Sequence, residues 1–205
     1  MRLERKADGS FKVWMSRDEY IELVKYAGDG GPHPIEEIAL RLMGDCGLRI
    51  SETLDVCYDD VKRMPDGSGY KLRVKHGKDT TGESEEGKFR ETWLPDQLER
   101  MMYRYAREQG LEDDEPLINV TRRTVSNWVT YASESAAEAT GDDDYAKLSS
   151  HDLRRQWAQF LLVKQSINPR VVMSLGGWRE YSSIEPYLNA PTDDHIADEM
   201  AGLFD

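Results

Sequence analysis

Apolar residues recur at helical spacing through most of the chain. The clearest stripe consists of Ile35, Ile38, Ala39, Leu42, Met43 and Cys46. Gly47 follows it as a helix stop. Ser16 and Glu19 form a capping box that predicts an earlier helix near 17–27. Similar patterns predict later helices that begin near Pro95, Thr121, Ser149 or Ser150 and Pro169, and a last one over 196–204.

Between these helices the hydrophobic period changes to two residues. Leu72 and Val74 alternate with basic residues, and Phe89, Glu91 and Trp93 form a second alternating run. An earlier extended run begins near 56 and is separated from the next by the turn sequence "MPDGSG". The chain is therefore predicted to be α+β, predominantly helical with a small three-stranded antiparallel sheet.

The charge balance does not decide between classes of partner. The chain has 27 basic and 39 acidic residues, for a net charge of −12, which by itself disfavours nucleic acid. However, 17 of the 27 basic residues are arginine, the side chain best suited to phosphate. An acid-rich, lysine-poor composition also resembles proteins of salt-loving archaea. In molar salt the Debye length falls to ~3 Å, so an acidic surface would repel DNA far less.

The remaining bulk features indicate one domain with a cytoplasmic location. A chain of 205 residues suits a single core. No run approaches the length of a membrane span, and the N-terminus shows no signal peptide. Only two cysteines, Cys46 and Cys57, are present, so a disulfide framework is not indicated.

The segment "HDLRR" at 151–155 places positive side chains in the first turn of a predicted helix. His151 and Arg154 are three positions apart and so project from one face. Cations are disfavoured there because the helix dipole and the free N–H groups already make that end positive. The arrangement indicates either an anion site, such as one for phosphate, or a solvated surface that is offset by Asp152.

Two further cations also have alternative explanations. Arg49 lies in a turn between apolar neighbours, where partial burial would require an acceptor. Glu52 either ties this turn or orients a functional Arg49. Lys78 lies on a predicted hairpin with a long acidic loop, where Lys75 and Lys88 are its rivals. Hairpin lysines are commonly solvated edge residues.

The stretch "LGGWREYSSIEPYL" at 175–188 contains two aromatic residues of open role. Trp178 is either a core aromatic or an indole N–H donor to a phosphate oxygen. Pro186 disfavours the α region for Glu185, which predicts that Tyr187 lies on a short element presenting its hydroxyl. Each aromatic, taken alone, is also consistent with simple packing.

The order of these segments resembles the catalytic domain of the tyrosine recombinase (phage integrase) family. The matching features are "GLRISE", a hairpin Gly-Lys, "HDLRR", and "LGGW" with a tyrosine nine residues after the tryptophan. The resemblance extends from about 16 to 188. Each motif alone is weak, but four in the family's order with matching spacings are specific. Arg155 departs from the pattern, since many members have histidine there, and Pro186 is unusual.

The resemblance implies a role for each matched residue. Arg49 and Arg154 would hold the scissile phosphate and Tyr187 would attack it. The other matched residues are His151 as the box-two histidine and candidate base, Lys78 as the hairpin lysine, and Trp178 at the His-or-Trp position, with Glu52 and Arg155 in support. No metal or other cofactor is implied, since a 3′-phosphotyrosine keeps the energy of the phosphodiester.

The implied function is site-specific cleavage and rejoining of double-stranded DNA by a DNA breaking-rejoining fold. Residues 1–205 are predicted to form a single catalytic domain, with an arm over 1–15, a core over 16–188 and a tail helix within 189–205. The family's usual N-terminal core-binding domain is expected to be absent. The resemblance also implies self-association on DNA as a tetrameric synapse, and no membrane partner. The apolar face of the 190–205 tail is expected either to dock on a neighbouring copy in that synapse or to pack on its own chain. The alternatives are type IB topoisomerase-like nicking and resealing, and a DNA-binding relative without catalytic activity.

Overall fold

The structure is a computed structural model that describes residues 1–28, 34–77 and 88–188. Lys78 and the predicted tail helix over 196–204 lie outside the described residues.

The fold is predominantly helical with a small antiparallel sheet, as predicted. The helices are α1 (Arg17–Val24), α2 (Pro34–Gly44), α3 (Ile50–Thr53), α4 (Asp96–Gln109), α5 (Arg122–Thr140), α6 (Ser150–Gln159) and α7 (Pro169–Gly176). The strands are β1 (Arg2–Arg5), β2 (Phe11–Trp14), β3 (Val61–Arg63), β4 (Tyr70–Gly77) and β5 (Lys88–Leu94). The predicted helix starts agree with these bounds to within a residue or two. Helix α6 continues as one π-helical turn, Phe160–Lys164.

The first strands form a hairpin that the sequence analysis did not predict. In the antiparallel pair of β1 and β2, Arg2 lies opposite Trp14 and Arg5 lies opposite Phe11. Each strand has only four residues, too few for alternation to stand out in the sequence. The stretch treated as an arm over 1–15 is therefore an ordered element, and its second strand packs on α6.

The main sheet has the strand order β3-β4-β5, antiparallel throughout. Val74 lies opposite Arg90, and the register becomes irregular between Val74 and Gly77, at the end of β4. The aromatic residues of β5 do not lie on its buried face, contrary to what their alternation predicts. Phe89 and Trp93 are exposed, whereas the side of the strand that carries Arg90 faces the protein interior.

The core is divided into two clusters. The larger one joins α1 and α2 to α4, α5 and the sheet. The smaller one lies against α6 and α7 and consists of Trp14, Trp157, Ala158, Leu162, Val172, Met173, Ile184 and Tyr187. The chain thus buries the ring of Tyr187 among tryptophans near the C-terminal end of the described residues. Nowhere in the described stretches is a helix long and apolar enough to cross a bilayer.

Candidate active site

A tight turn after α2 carries Arg49 into the site. Gly47 has a φ of +69°, and a Cβ placed on it would lie 2.4 Å from Cε3 of Trp157. Only glycine can therefore occupy this turn, both for backbone conformation and for space. The carbonyl of Gly47 accepts a hydrogen bond from Arg154. The segments "GLRISE" and "HDLRR" are thus joined by direct contact between the Gly47 turn and α6.

Arg154 is almost fully buried, with a relative exposure of 2%. Its Nη1 donates to the carbonyl of Gly47, and its Nη2 donates to the carbonyl of Gly176 at 2.6 Å. The guanidinium lies over the Trp178 ring, 4.3 Å from the centroid. Burial and then repulsion from Arg49 lower the pKa of Arg154 to about 9. The group stays positive at neutral pH and is held rigidly.

Arg49 is less buried than its apolar neighbours suggest, since 43% of its side chain is exposed. Its Nη1 donates to Oε1 of Glu52 at 2.7 Å, and its backbone N–H donates to Oε2 at 2.7 Å. The Glu52 carboxylate is buried, with 2% exposure. Burial raises the pKa of Glu52, but the ion pairs with Arg90 and Arg49 outweigh this and leave it lowered. Glu52 therefore stays ionised and anchors Arg49 at the start of α3.

Arg90 is a member of this network that sequence reasoning missed. Its Nη1 and Nη2 each donate to a Glu52 oxygen at 2.9 Å, and its Nε donates to the carbonyl of Leu175 at 2.9 Å. A Cβ on Gly177 would lie 2.8 Å from Cδ of Arg90, and Gly177 has a φ of +70°. The Arg90 side chain therefore connects the Arg49 turn to the end of α7, which Trp178 follows by two residues.

Replacing Arg90 with alanine should destabilise the fold. The substitution removes two of the charge-assisted bonds that compensate the buried Glu52 carboxylate. Breaking a buried pair in this way typically costs about 3 kcal/mol. Urea unfolding of the Arg90→Ala variant measures the loss against Arg63→Ala, which changes an exposed arginine of β3 in the same sheet. Equal unfolding midpoints for the two variants would contradict the structural role.

A pocket of about 150 Å³ opens between α3, α5 and α6. It is lined by Leu48, Arg49, Ile50, Ser51, Arg122, Ser150, His151 and Arg154. Three arginines and one histidine face this space, and none of the described residues that line it is acidic. In a chain with a net charge of −12, this is a local concentration of positive charge. The pocket can bind an anion of the size of a phosphate group.

His151 lies at the mouth of this pocket and keeps access to solvent. Desolvation by the surrounding walls lowers the pKa of His151 to about 4, with further lowering from Arg155, Arg154, Arg49 and Lys6. The imidazole is therefore neutral at neutral pH and can accept a proton. The same shift is a sign of the positive potential in the pocket.

The depressed pKa of His151 predicts a pH dependence of stability. The unfolded chain binds a proton near the ordinary value of 6.5, whereas the folded chain binds it only near 4. Between these values the unfolded state holds more protons, so stability falls as the pH is lowered from 6.5 to 4. Urea midpoints measured across this window should fall less for His151→Gln than for the wild type. Parallel pH profiles for the two proteins would contradict the shift.

Tyr187 lies in a cage of tryptophans and is 8% exposed. Its ring centroid is 5.6 Å from that of Trp178 and 6.4 Å from that of Trp14. Trp178 in turn stacks on Trp157 at 5.9 Å. Within the described residues, no hydrogen bond involves the Tyr187 hydroxyl. The cage holds the ring by packing and leaves the oxygen uncommitted.

Pro186 is accommodated in a 3-10 turn, Glu185–Tyr187. The expectation that proline would keep Glu185 out of helical geometry is wrong, because the turn begins at Glu185. Pro186 occupies one of the first positions of this turn, where its missing N–H would have no partner within the turn. The backbone N–H of Tyr187 donates to the carbonyl of Ile184 at 2.9 Å. The tyrosine is thus on a short non-α element, as expected.

The N-terminal hairpin is bonded to α6 through Asp152 and Arg155. Oδ1 of Asp152 accepts from the backbone N–H of Val13 at 3.0 Å, and Oδ2 accepts from the N–H of Ser149 at 2.9 Å. Arg155 donates to Asp152 and lies 5.4 Å from the ring centroid of Trp14. Arg155 therefore faces away from the pocket and holds Trp14, which is one wall of the Tyr187 cage.

The structure brings most of the predicted site residues together, although not into one cavity. Arg49, His151 and Arg154 line the pocket. Trp178 lies against Arg154 and Tyr187 lies against Trp178, and neither aromatic residue lines the pocket.

Of the three candidate lysines of the hairpin, only Lys75 has a described side chain. Lys78 lies outside the described residues, and no side-chain placement is described for its rival Lys88. The other rival, Lys75, is engaged in an ion pair with buried Asp60, with its Nζ 2.8 Å from Oδ2.

The chain belongs to the phage integrase family, whose sequence profile matches residues 13–193. This span includes the Gly47 turn, the pocket, α7 and the Tyr187 cage. A search of the curated proteins finds no match to the chain.

Solved structures share the fold. The XerA recombinase superposes with a TM-score of 0.67 at 16% identity, covering 92% of this chain and 64% of its own. The Tn1549 transposon integrase, in complex with transposon right end DNA, gives 0.72 at 16% identity, covering 95% and 67%. The XerH site-specific recombinase, bound to its difH substrate, gives 0.69 at 15% identity, covering 98% and 60%. At such identities the likeness establishes the fold alone, and this chain spans less than two thirds of XerA and XerH.

Proposed function

We propose that this chain cleaves and rejoins DNA strands at specific sites through a 3′-phosphotyrosine intermediate. The observation that carries the proposal is the pocket of arginines and a neutral histidine, together with a buried tyrosine that packs on Trp178, the ring under Arg154. An acidic chain that concentrates guanidinium groups in one small space is suited to bind a phosphodiester there. Family membership and the fold agree with this reading.

Each residue has a part in the first transfer. Tyr187 does not line the pocket, so it first has to move out of its tryptophan cage toward the bound phosphate. Its phenolic oxygen then forms a bond to the backbone phosphorus while the bond to the 5′-oxygen breaks. His151, held neutral by its surroundings, takes the phenolic proton. Arg49 and Arg154 donate to the non-bridging oxygens, where charge accumulates. A 5′-hydroxyl reverses the sequence on the same or a second strand, so the phosphodiester energy is retained.

Supporting roles follow from the contacts. Lys78 would protonate the departing 5′-oxygen. Trp178 underlies Arg154 and would direct its indole N–H to the phosphate. Glu52 orients Arg49, and Arg155 holds the Trp14 wall of the cage.

A suicide substrate tests the proposal. DNA nicked near the target site releases a short fragment after cleavage and so traps the covalent protein–DNA adduct. Because the target sequence is not defined by the chain, the substrate is drawn from a library of duplexes. The acidic surface is similar to those of salt-adapted proteins, so the assay extends from ~0.1 M to molar salt, where the Debye length shortens from ~10 Å to ~3 Å. Absence of an adduct at every salt concentration would sink the catalytic proposal.

Supercoiled plasmid separates recombination from topoisomerase-like activity. We expect that strand transfer requires two sites, because self-association through the 190–205 tail would assemble a synapse. Relaxation of plasmid without paired sites would favour nicking and resealing instead. DNA binding without any adduct would favour a relative that has kept the fold but not the chemistry.

A further inference from the structure

Arg122 is a third arginine of the pocket, and it comes from a part of the chain outside the four motifs. It is the first residue of α5, whereas Arg49 precedes α3 and Arg154 lies in α6. The side chain lines the same space as Arg49, His151 and Arg154. Three separate elements therefore direct guanidinium groups to one pocket.

Arg122 has no protein partner that would account for its position. Within the described stretches it makes no ion pair or hydrogen bond, and none of the described residues that line the pocket is acidic. Arg49, by contrast, is balanced by Glu52. The N-terminus of α5 is already capped, because the Thr121 hydroxyl accepts from the N–H of Thr124 at 3.1 Å. The side chain, and not the helix end, is what this position offers to an anion.

The pocket around Arg122 has an excess of positive charge. Arg154 is compensated by backbone carbonyls and an aromatic ring, and no carboxylate of the described residues contacts it. Placing a further exposed cation beside it costs free energy through repulsion unless an anion is bound. A planar guanidinium can bond two oxygens of one phosphate at the same time. An arginine that served only as a solvated surface charge would not need to face the pocket.

We propose that Arg122 is a phosphate-binding residue of this site, which holds the DNA backbone at the scissile phosphate or at the phosphate next to it. The inference rests on the proposed function and extends it beyond the motif residues. By fixing the strand on the α5 side of the pocket, Arg122 would set the phosphorus in line with Tyr187. Arg123 is its matched control, since it is also exposed on α5, makes no ion pair within the described residues and does not line the pocket.

The first test compares Arg122→Ala with Arg123→Ala on the suicide substrate. We expect the single-turnover rate of adduct formation to fall about 10²-fold for Arg122→Ala, the scale of a small misplacement of the reacting group. The slope of log K against log salt should also decrease by about 0.9, the value for one lost phosphate contact. The Arg122→Lys variant should recover the salt slope more than the rate, because it restores the charge without the planar fork. Equal rates for Arg122→Ala and Arg123→Ala would overturn the inference.

Methylphosphonate substitution then identifies which phosphate Arg122 holds. Neutralising one phosphate at a time removes the charge that each arginine binds. The rate loss of Arg122→Ala should largely disappear on the substrate whose modified phosphate is the one Arg122 contacts, whether scissile or adjacent. If the loss persists undiminished on every such substrate, Arg122 contacts none of these phosphates and the inference is wrong. Adduct formation by the wild type is measured first, so that failure of the proposed function is distinguished from failure at Arg122.

Discussion

Replacing Tyr187 with phenylalanine should abolish the covalent adduct with DNA while leaving DNA binding unchanged. The substitution removes only the phenolic oxygen, the atom proposed to bond to phosphorus. The ring stays in its cage, because its contacts with Trp14 and Trp178 are aromatic. No hydrogen bond to the hydroxyl is lost within the described residues. We therefore expect no adduct on the suicide substrate, an unchanged Kd and a nearly unchanged urea midpoint.

Tyr181 provides the matched control for this experiment. It lies on the preceding 3-10 turn, Tyr181–Ser183, and is 51% exposed. The Tyr181→Phe variant should form the adduct at the wild-type rate. If Tyr181→Phe loses the adduct and Tyr187→Phe keeps it, the nucleophile has been assigned to the wrong residue.

Replacing Arg49 with alanine should lower the rate of adduct formation by about 10²–10³, the usual loss for one donor to a developing oxyanion. The effect on stability should be small. The side chain is 43% exposed, and Glu52 keeps its two bonds to Arg90. Single-turnover kinetics and urea unfolding together separate the two effects.

Arg154 and Arg179 provide a buried pocket arginine and an exposed control for comparison with Arg49. The Arg154→Ala variant should show a similar rate loss together with a marked loss of stability, because its buried guanidinium bonds two carbonyls and stacks on Trp178. Arg179 is exposed beside Trp178 and does not line the pocket, so Arg179→Ala should react at the wild-type rate. An equal loss of rate for Arg179→Ala and Arg49→Ala would mean that the effect is not specific to arginines that line the pocket.

Features set by local chemistry were predictable from the sequence. The capping box at Ser16 and Glu19 predicted the start of α1, and both of its hydrogen bonds are present. The stripe from Ile35 to Cys46 predicted α2, because periodic burial is a local property of a helix. The approach of Arg49, His151 and Arg154 to one another followed only from the resemblance, since residues far apart in sequence meet through tertiary packing.

The features that sequence reasoning missed depend on tertiary contacts. Arg90 alternates with aromatic residues, so the period of β5 assigns it to the solvent side, whereas the structure places Phe89 outside. The buried side of the strand instead carries Thr92, Leu94 and Arg90, and Arg90 pairs there with Glu52. Arg122 follows a good N-cap residue and carries no local mark of a binding role. The hairpin of β1 and β2 is also recognisable only from its packing on α6.

The two carbonyl bonds of Arg154 have a consequence for the energetics of substrate recognition. A free arginine side chain has about 2 kcal/mol of rotamer entropy that must be lost when it is fixed on a ligand. In this protein Gly47 and Gly176 fix the guanidinium during folding, and each terminal nitrogen keeps a second N–H for an incoming oxygen. The ordering is therefore complete before DNA arrives. Arg49, which remains partly exposed, retains the freedom to adjust to the strand, so one arginine acts as a rigid reference and the other as an adaptable contact.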